Sequence, residues 1–224
     1  MKSVAPSFAA LISASVLSGA LLVPVANAEL SASAGVANMY LWRGIDLGDG
    51  SPAVFGDLSY STGGAYIGIW ASSGDSSLGQ EYDLYAGYGG EIGQFSYDLS
   101  VVNYNYSDAG LRGDLNTRDD TTGELTEVIL TLGFGPITAQ YHDNVAGNTG
   151  YEYWTLAGTY GQFTLLAGYH DQADNELDMT HVDLSYAYND RLTFTVSKVV
   201  DHDKDGGYDD DMLFVISYNL PLDL

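Results

Sequence analysis

The sequence predicts an all-β chain: a transmembrane antiparallel up-and-down β-barrel of about 12 strands, preceded by a cleavable signal peptide. Three observations point that way. Segments that alternate apolar and polar residues fill the chain, the connections between them swing between tight turns and long loops, and the first residues have the character of a secretory leader.

The leader comes first. Lys2 supplies a positive start, an apolar run extends from Phe8 to Val25, and Ala26, Asn27 and Ala28 form an A-x-A cleavage box. Gly19 and Pro24 interrupt the run, which suits a leader better than a membrane anchor. The expected organisation is therefore a signal peptide over 1–28 and a single barrel over 29–224. Removal of Lys2 takes the formal net charge from -23 to -23 - 1 = -24.

Composition narrows the function classes. The chain of 224 residues has no cysteine, which excludes a disulfide scaffold and a thiolate metal site. Against 30 Asp plus Glu stand only 7 Lys plus Arg, so the protein repels phosphate backbones and nucleic acid is excluded as a partner. Charged residues make up 17%, below the usual share of a soluble domain, while 27 glycines and 18 tyrosines are abundant. After the leader, no apolar run is long enough to span a bilayer as a helix.

The strands follow in order. Leu30 to Arg43, Pro52 to Tyr60, Ala65 to Ser72, Glu81 to Tyr88, Phe95 to Tyr106 and Glu124 to Phe134 make the first half. Ile137 to Asp143, Tyr151 to Tyr160, Gln162 to Asp171, Met179 to Tyr188, Arg191 to Val200 and Met212 to Leu220 make the second. The clearest unit is the hairpin from Glu124 to Asp143. Val128, Leu130, Leu132 and Phe134 share one face, and Glu127, Ile129, Thr131 and Gly133 share the other. Gly135 and Pro136 then force a tight turn, after which Ile137, Ala139 and Tyr141 alternate with Thr138, Gln140 and His142.

The connections decide between a barrel and a soluble sandwich. Gly44 to Ser51, Ser73 to Gln80, Ser107 to Gly123, Asn144 to Gly150, Gln172 to Asp178 and Asp201 to Asp211 read as long. Ser61 to Gly64, Gly135 to Pro136, Gly161 and Asn189 to Asp190 read as short, and Gly89 to Gln94 as moderate. Outer-membrane barrels keep tight periplasmic turns and longer outer loops, a rhythm a sandwich has no reason to maintain. Alternation stays in phase with it, with Leu165, Leu184, Phe194 and Phe214 outward and Thr164, Asp183, Thr195 and Ser197 inward. Trp42, Tyr60, Tyr88, Tyr160, Tyr188 and Tyr218 stand near strand ends, where interfacial aromatic girdles lie.

From Asn38 the residues also resemble a family. Asn38, Met39, Tyr40, Leu41, Trp42, Arg43, Gly44 and Ile45 look like the aromatic-Arg-Gly segment of the TorF-type porin family, also labelled Gcw_chp. Pro52, Ala53, Val54 and Gly56 match its next segment, Gly68, Ile69, Trp70, Ala71 and Ser72 the third, and Glu81 through Tyr88 the fourth. The remainder agrees in pattern only. The resemblance implies a bacterial envelope barrel with a porin role, itself inferred for the family from its architecture.

The strand phase points Arg43, Asp57, Glu81, Asp83, Asp98, Glu127, His142 and Asp183 into the lumen. Fixed carboxylates in a narrow aqueous pore concentrate cations, and Arg43 facing an acid sets up a cross-pore field. The same groups can instead make a salt-bridged plug, since about 12 strands enclose a lumen between that of filled barrels and wide porins. His142, His170 and His181 fall at the loop ends of their strands on the inward face, with Asp171 and Asp178 close by, a donor set for a transition metal or a plain polar lining. Asp201, Asp203 and Asp205 before Gly206 resemble the start of a calcium loop, but position twelve is Met212 in place of Glu, which favours a solvated acidic loop. Arg118, Asp119 and Asp120 also read as a solvated loop. No nucleophile elbow or Ser-His spacing marks a catalytic set, so no enzyme is expected; a lipid-modifying barrel enzyme, with Ser or His and acids at the outer rim, is the lesser alternative, which His142 and His170 do not exclude.

The functional expectation is a passive, mildly cation-favouring outer-membrane channel for small hydrophilic solutes, without cofactor. The alternative is a closed or plugged structural or surface-binding barrel with cation-bridging acidic loops. Outer-membrane lipid and small solutes or cations are the expected partners. A homo-oligomer is compatible with the sequence, in which no subunit interface can be told from a lipid face.

Overall fold

The computed structural model describes residues 28–107, 125–147, 149–173, 178–202 and 208–224. The leader through Asn27, the Arg118, Asp119 and Asp120 segment, and Asp203 and Asp205 of the acidic loop lie outside the described residues.

Twelve antiparallel strands close into a barrel. They are β1 (Glu29–Ala37), β4 (Ala53–Thr62), β5 (Ala65–Asp75), β6 (Gly79–Ile92), β7 (Phe95–Tyr106), β8 (Thr126–Phe134), β9 (Ile137–Asn144), β10 (Glu152–Tyr160), β11 (Phe163–Asp171), β12 (Met179–Ala187), β13 (Leu192–His202) and β14 (Leu213–Leu222). Two short strands, β2 (Leu41–Trp42) and β3 (Ile45–Asp46), form a separate hairpin. Each barrel strand pairs with its sequence neighbour, and the seam closes where β1 lies between β14 and β4. There Ala32 faces Leu222 on one side and Leu58 on the other. Closure leaves the barrel itself no unpaired edge strand among the described residues.

Side-chain direction follows the period of two. Leu130, Leu132, Phe134, Leu165, Leu184, Phe214 and Ile216 are exposed on the exterior, whereas Glu127, Ile129, Thr131, Asp183, Thr195, Ser197 and Val215 are buried inside. Exposed apolar groups ring the whole barrel, a far larger apolar surface than a water-soluble monomer carries. Tyr60, Tyr88, Tyr160, Tyr188 and Tyr218 rim the exterior at the tight-turn end, and Tyr82, Trp154 and Tyr169 stand outside toward the other end.

Four expectations change. The first strand does not run from Leu30 to Arg43 but stops at Ala37, and Gly44 to Ser51 is not an outward loop. Asn38 closes that strand instead: its side-chain amide donates to the Phe214 carbonyl at 3.1 Å and its side-chain oxygen accepts from the Ile216 amide at 2.6 Å. The chain then turns into the barrel, and Trp42 goes with it rather than joining a girdle. The long connection expected over Ser73 to Gln80 is also shorter, because Asp75 accepts from the Ser77 and Leu78 amides at 2.7 and 2.6 Å and closes a tight turn.

Candidate functional site

Residues 38–52 fold from the long-loop end into the barrel interior. β2 and β3 pair through Leu41 with Asp46 and Trp42 with Ile45, leaving Arg43 and Gly44 as a two-residue turn. Both have positive φ, 48° and 85°, the pattern of a type I′ turn. Gly44 is required for space as well: a Cβ there would lie 2.5 Å from Cγ of His181. Behind the tip, Leu41 packs on Ala37 and Val215, and Tyr40 packs on Ala53 and Trp70. Asp46 ties the return of the hairpin by accepting from the Gly48 and Gly50 amides at 2.9 and 2.6 Å, and the β5–β6 turn joins it where the Ser76 amide donates to the Leu47 carbonyl.

The tip carries Arg43 across the interior. Its guanidinium is buried and makes a fork onto Glu127 of β8, Nη1 to Oε1 at 2.9 Å and Nη2 to Oε2 at 2.6 Å. Nη2 also meets Nδ1 of His142 at 3.0 Å, and Tyr104 donates to Glu127 Oε2 at 2.9 Å. The cation lies over the ring of Tyr153 at 4.4 Å and over its own neighbour Trp42 at 4.7 Å.

A ring of hydrogen bonds fixes the tip to the wall. Arg43 Nη1 donates to the Tyr151 hydroxyl at 3.0 Å, Tyr151 donates to Nδ1 of His170 at 2.9 Å, and His170 Nε2 donates to the Arg43 carbonyl at 2.8 Å. The carbonyl can only accept, so His170 carries its proton on Nε2 and Nδ1 is the acceptor. Beside it Tyr153 donates to His181 Nε2 at 2.8 Å, and His181 Nδ1 donates to Asp183 at 3.1 Å. Burial pushes the Tyr151 phenol up to about 12, and burial together with the Glu81 charge holds Tyr40 well above its ordinary range, so both act as donors.

The sequence-derived set therefore splits. Arg43, Glu127 and His142 meet at the hairpin tip. Glu81 stands nearby and accepts from Tyr40 and from Tyr106, the latter at 2.9 Å. Asp183 holds His181. Asp57 and Asp98 lie nearer the tight-turn end, where Tyr85 donates to Asp57 at 2.5 Å and Tyr66 to Asp98 at 2.8 Å. Asp83 faces the interior with no partner for either oxygen among the described residues.

His170 and His181 do come together, with ring centroids 5.8 Å apart, yet both nitrogens of each ring are engaged in the bonds above, which leaves no lone pair for a metal. Asp178 is likewise committed, to Tyr169 and to the Gln172 amide. Asp201 is exposed at the end of β13. The phenols of Tyr40, Tyr104, Tyr106, Tyr151 and Tyr153 were not among the sequence-derived candidates. For Tyr104 and Tyr106 the signal was present, since both share the phase of Asp98 on β7.

A family model described as a bacterial protein of unknown function, Gcw_chp, matches residues 23–190. The chain belongs to the Gcw_chp family. The hairpin tip and its partners Glu127, His142, Tyr151 and His170 fall within the matched stretch of this Gcw_chp protein, whereas Phe214, Val215 and Ile216, which hold Asn38 and Leu41, lie beyond it. No curated protein matches the chain. Among solved structures, the outer membrane phospholipase A from Escherichia coli is similar at 11% identity and a TM-score of 0.43, over 86% of this chain and 90% of that one.

Proposed function

We propose that this protein is a barrel of the Gram-negative outer membrane that passes small hydrophilic solutes with a preference for cations, and that its own 38–52 hairpin closes the loop-side half of the lumen at rest. The observation that carries the reading is the buried Arg43–Glu127 pair, which pins a hairpin that starts at the β1 wall to β8 across the interior. The exposed apolar exterior suits lipid, and the aromatic rim at the tight-turn end suits an interface. With Arg43 neutralised by Glu127, the remaining inward charges of Asp57, Glu81, Asp83, Asp98 and Asp183 favour cations over anions. Passage needs no cofactor and no covalent step. His142 and His170 face the interior behind the hairpin, a position that supports no work on lipid at the outer rim.

Planar-bilayer recording tests this. The intact protein is expected to be silent or to open rarely, whereas a variant with residues 39–51 replaced by a short Gly-Ser link gives steady cation-selective steps. A correctly folded deletion variant that stays silent overturns the channel and leaves a permanently closed structural barrel, the reading favoured by the closed hydrogen-bond ring around Arg43.

A further inference from the structure

The inward carboxylates of the closed half are answered by donors, with one exception. Glu127 has Arg43, Tyr104 and His142; Glu81 has Tyr40 and Tyr106; Asp183 has His181; Asp75 has its own turn amides. Asp83 has none. Its exposure is 0%, and neither Oδ1 nor Oδ2 finds a hydrogen-bond partner among the described residues. The charges that act on it, those of Glu81 and Glu127, are both negative, and the Glu81 carboxyl stands within hydrogen-bonding reach, so two acceptors face each other. In the ladder Asp83 lies between Trp70 and Tyr104, and the Tyr104 hydroxyl is already committed to Glu127. Arg43 is forked onto Glu127 and acts on Glu81 only from a distance, so Glu81 and Asp83, two carboxylates two residues apart on one face of β6, have no bonded cation among the described residues. A buried carboxylate with neither donor nor cation is strongly unfavourable.

We propose that Glu81 and Asp83 hold one hard divalent cation of the calcium type inside the barrel. The donors are all oxygens: two carboxylates, with the Tyr40 and Tyr106 phenols already on Glu81. Calcium accepts such sets, binds carboxylates through one or both oxygens and tolerates irregular geometry. Asp83 has no imidazole or thiolate partner, which argues against a transition metal. Two carboxylates match the charge of one divalent ion. The next inward residue along β6, Tyr85, belongs with Asp57 to the half-buried tight-turn end, so the site lies between that end and the hairpin. This goes beyond the channel reading and does not depend on it, because ion binding is measured without transport.

The exposed Asp209, Asp210 and Asp211 carboxylates lie within 4.8 Å of one another and would mask the signal, so the test uses the full barrel with all three changed to Asn. Calcium chloride is titrated onto this protein folded in detergent while thermal unfolding and heat of binding are followed. The expected result is a midpoint that rises with calcium and one ion per chain, both lost in Asp83→Asn. No response before that substitution overturns the site, as does a response that survives it. Should Asp83→Asn fail to fold, Glu81→Gln must weaken calcium binding, and unaltered binding in that variant overturns the proposal equally.

Discussion

The two halves of the barrel interior use one chemical device in two settings. Toward the tight turns, Tyr85 donates to Asp57 and Tyr66 to Asp98, and Asp57, Tyr66 and Tyr85 are only half-buried. Toward the long loops, Tyr104 donates to Glu127 and Tyr106 to Glu81, and both carboxylates are buried. The difference between them is the 38–52 hairpin, which fills one half and excludes water from it. A phenol-to-carboxylate bond is replaceable by water in the first setting and irreplaceable in the second. The loop-side half is thus a packed polar core held by its bonds, while in the turn-side half Asp98 is buried but Asp57, Tyr66 and Tyr85 stay partly open to water.

The largest test of that contrast removes the cation. Arg43→Ala leaves Glu127 buried with only Tyr104 and His142 as partners, and the expected cost is about 3–5 kcal/mol of barrel stability. Urea unfolding of the folded protein in detergent measures it. Adding Glu127→Gln to Arg43→Ala should recover part of the loss, because the orphaned charge is then gone. A cost below that of an ordinary surface ion pair, about 1 kcal/mol or less, would show that water reaches Glu127 and that the hairpin does not seal the lumen.

A smaller and sharper test stays with a single hydroxyl. Tyr104→Phe deletes the donor at 2.9 Å from Glu127 and is expected to cost about 1.5–3 kcal/mol, the range for a hydrogen bond to a charged group where water cannot substitute. Its ring keeps the packing with Val102 and Ile129, so the change reads the hydroxyl rather than a cavity.

How much of this was visible in the residues differs between wall and plug. Strand order, closure and facing followed from alternation and turn chemistry, because those are local: Leu130 outward and Thr131 inward need only their neighbours to be read. The hairpin did not follow, because Leu41 and Arg43 continue the alternation of β1 and read as the same strand. What breaks the strand is Asn38 gripping β14, 176 residues away in sequence, and what draws the tip inward is Glu127, 84 residues away. Period two gives Arg43 an inward direction but says nothing of the body that carries it there. A local hint did exist in the Arg43-Gly44 pair followed by Gly48, Asp49 and Gly50, a density of turn formers too high for one outward loop to require. Histidine placement was legible to the same degree: the inward face was readable, whereas the saturation of both ring nitrogens of His170 and His181 depends on Tyr151, Tyr153 and the Arg43 carbonyl meeting them.

The smallest expected effect is the one that completes the comparison. Tyr85→Phe removes a donor 2.5 Å from Asp57, a shorter bond than the one Tyr104 makes, so bond length alone would rank it as the costlier change. Setting argues the reverse. Asp57 and Tyr85 are half-buried, so water can take the place of the lost hydroxyl, and the cost should fall to about 0.5–1.5 kcal/mol. Measured side by side under the same unfolding conditions, Tyr104→Phe must exceed Tyr85→Phe. If the order inverts, length and not water exclusion governs these bonds, and the surroundings of Asp57 are as dry as the half beneath the hairpin.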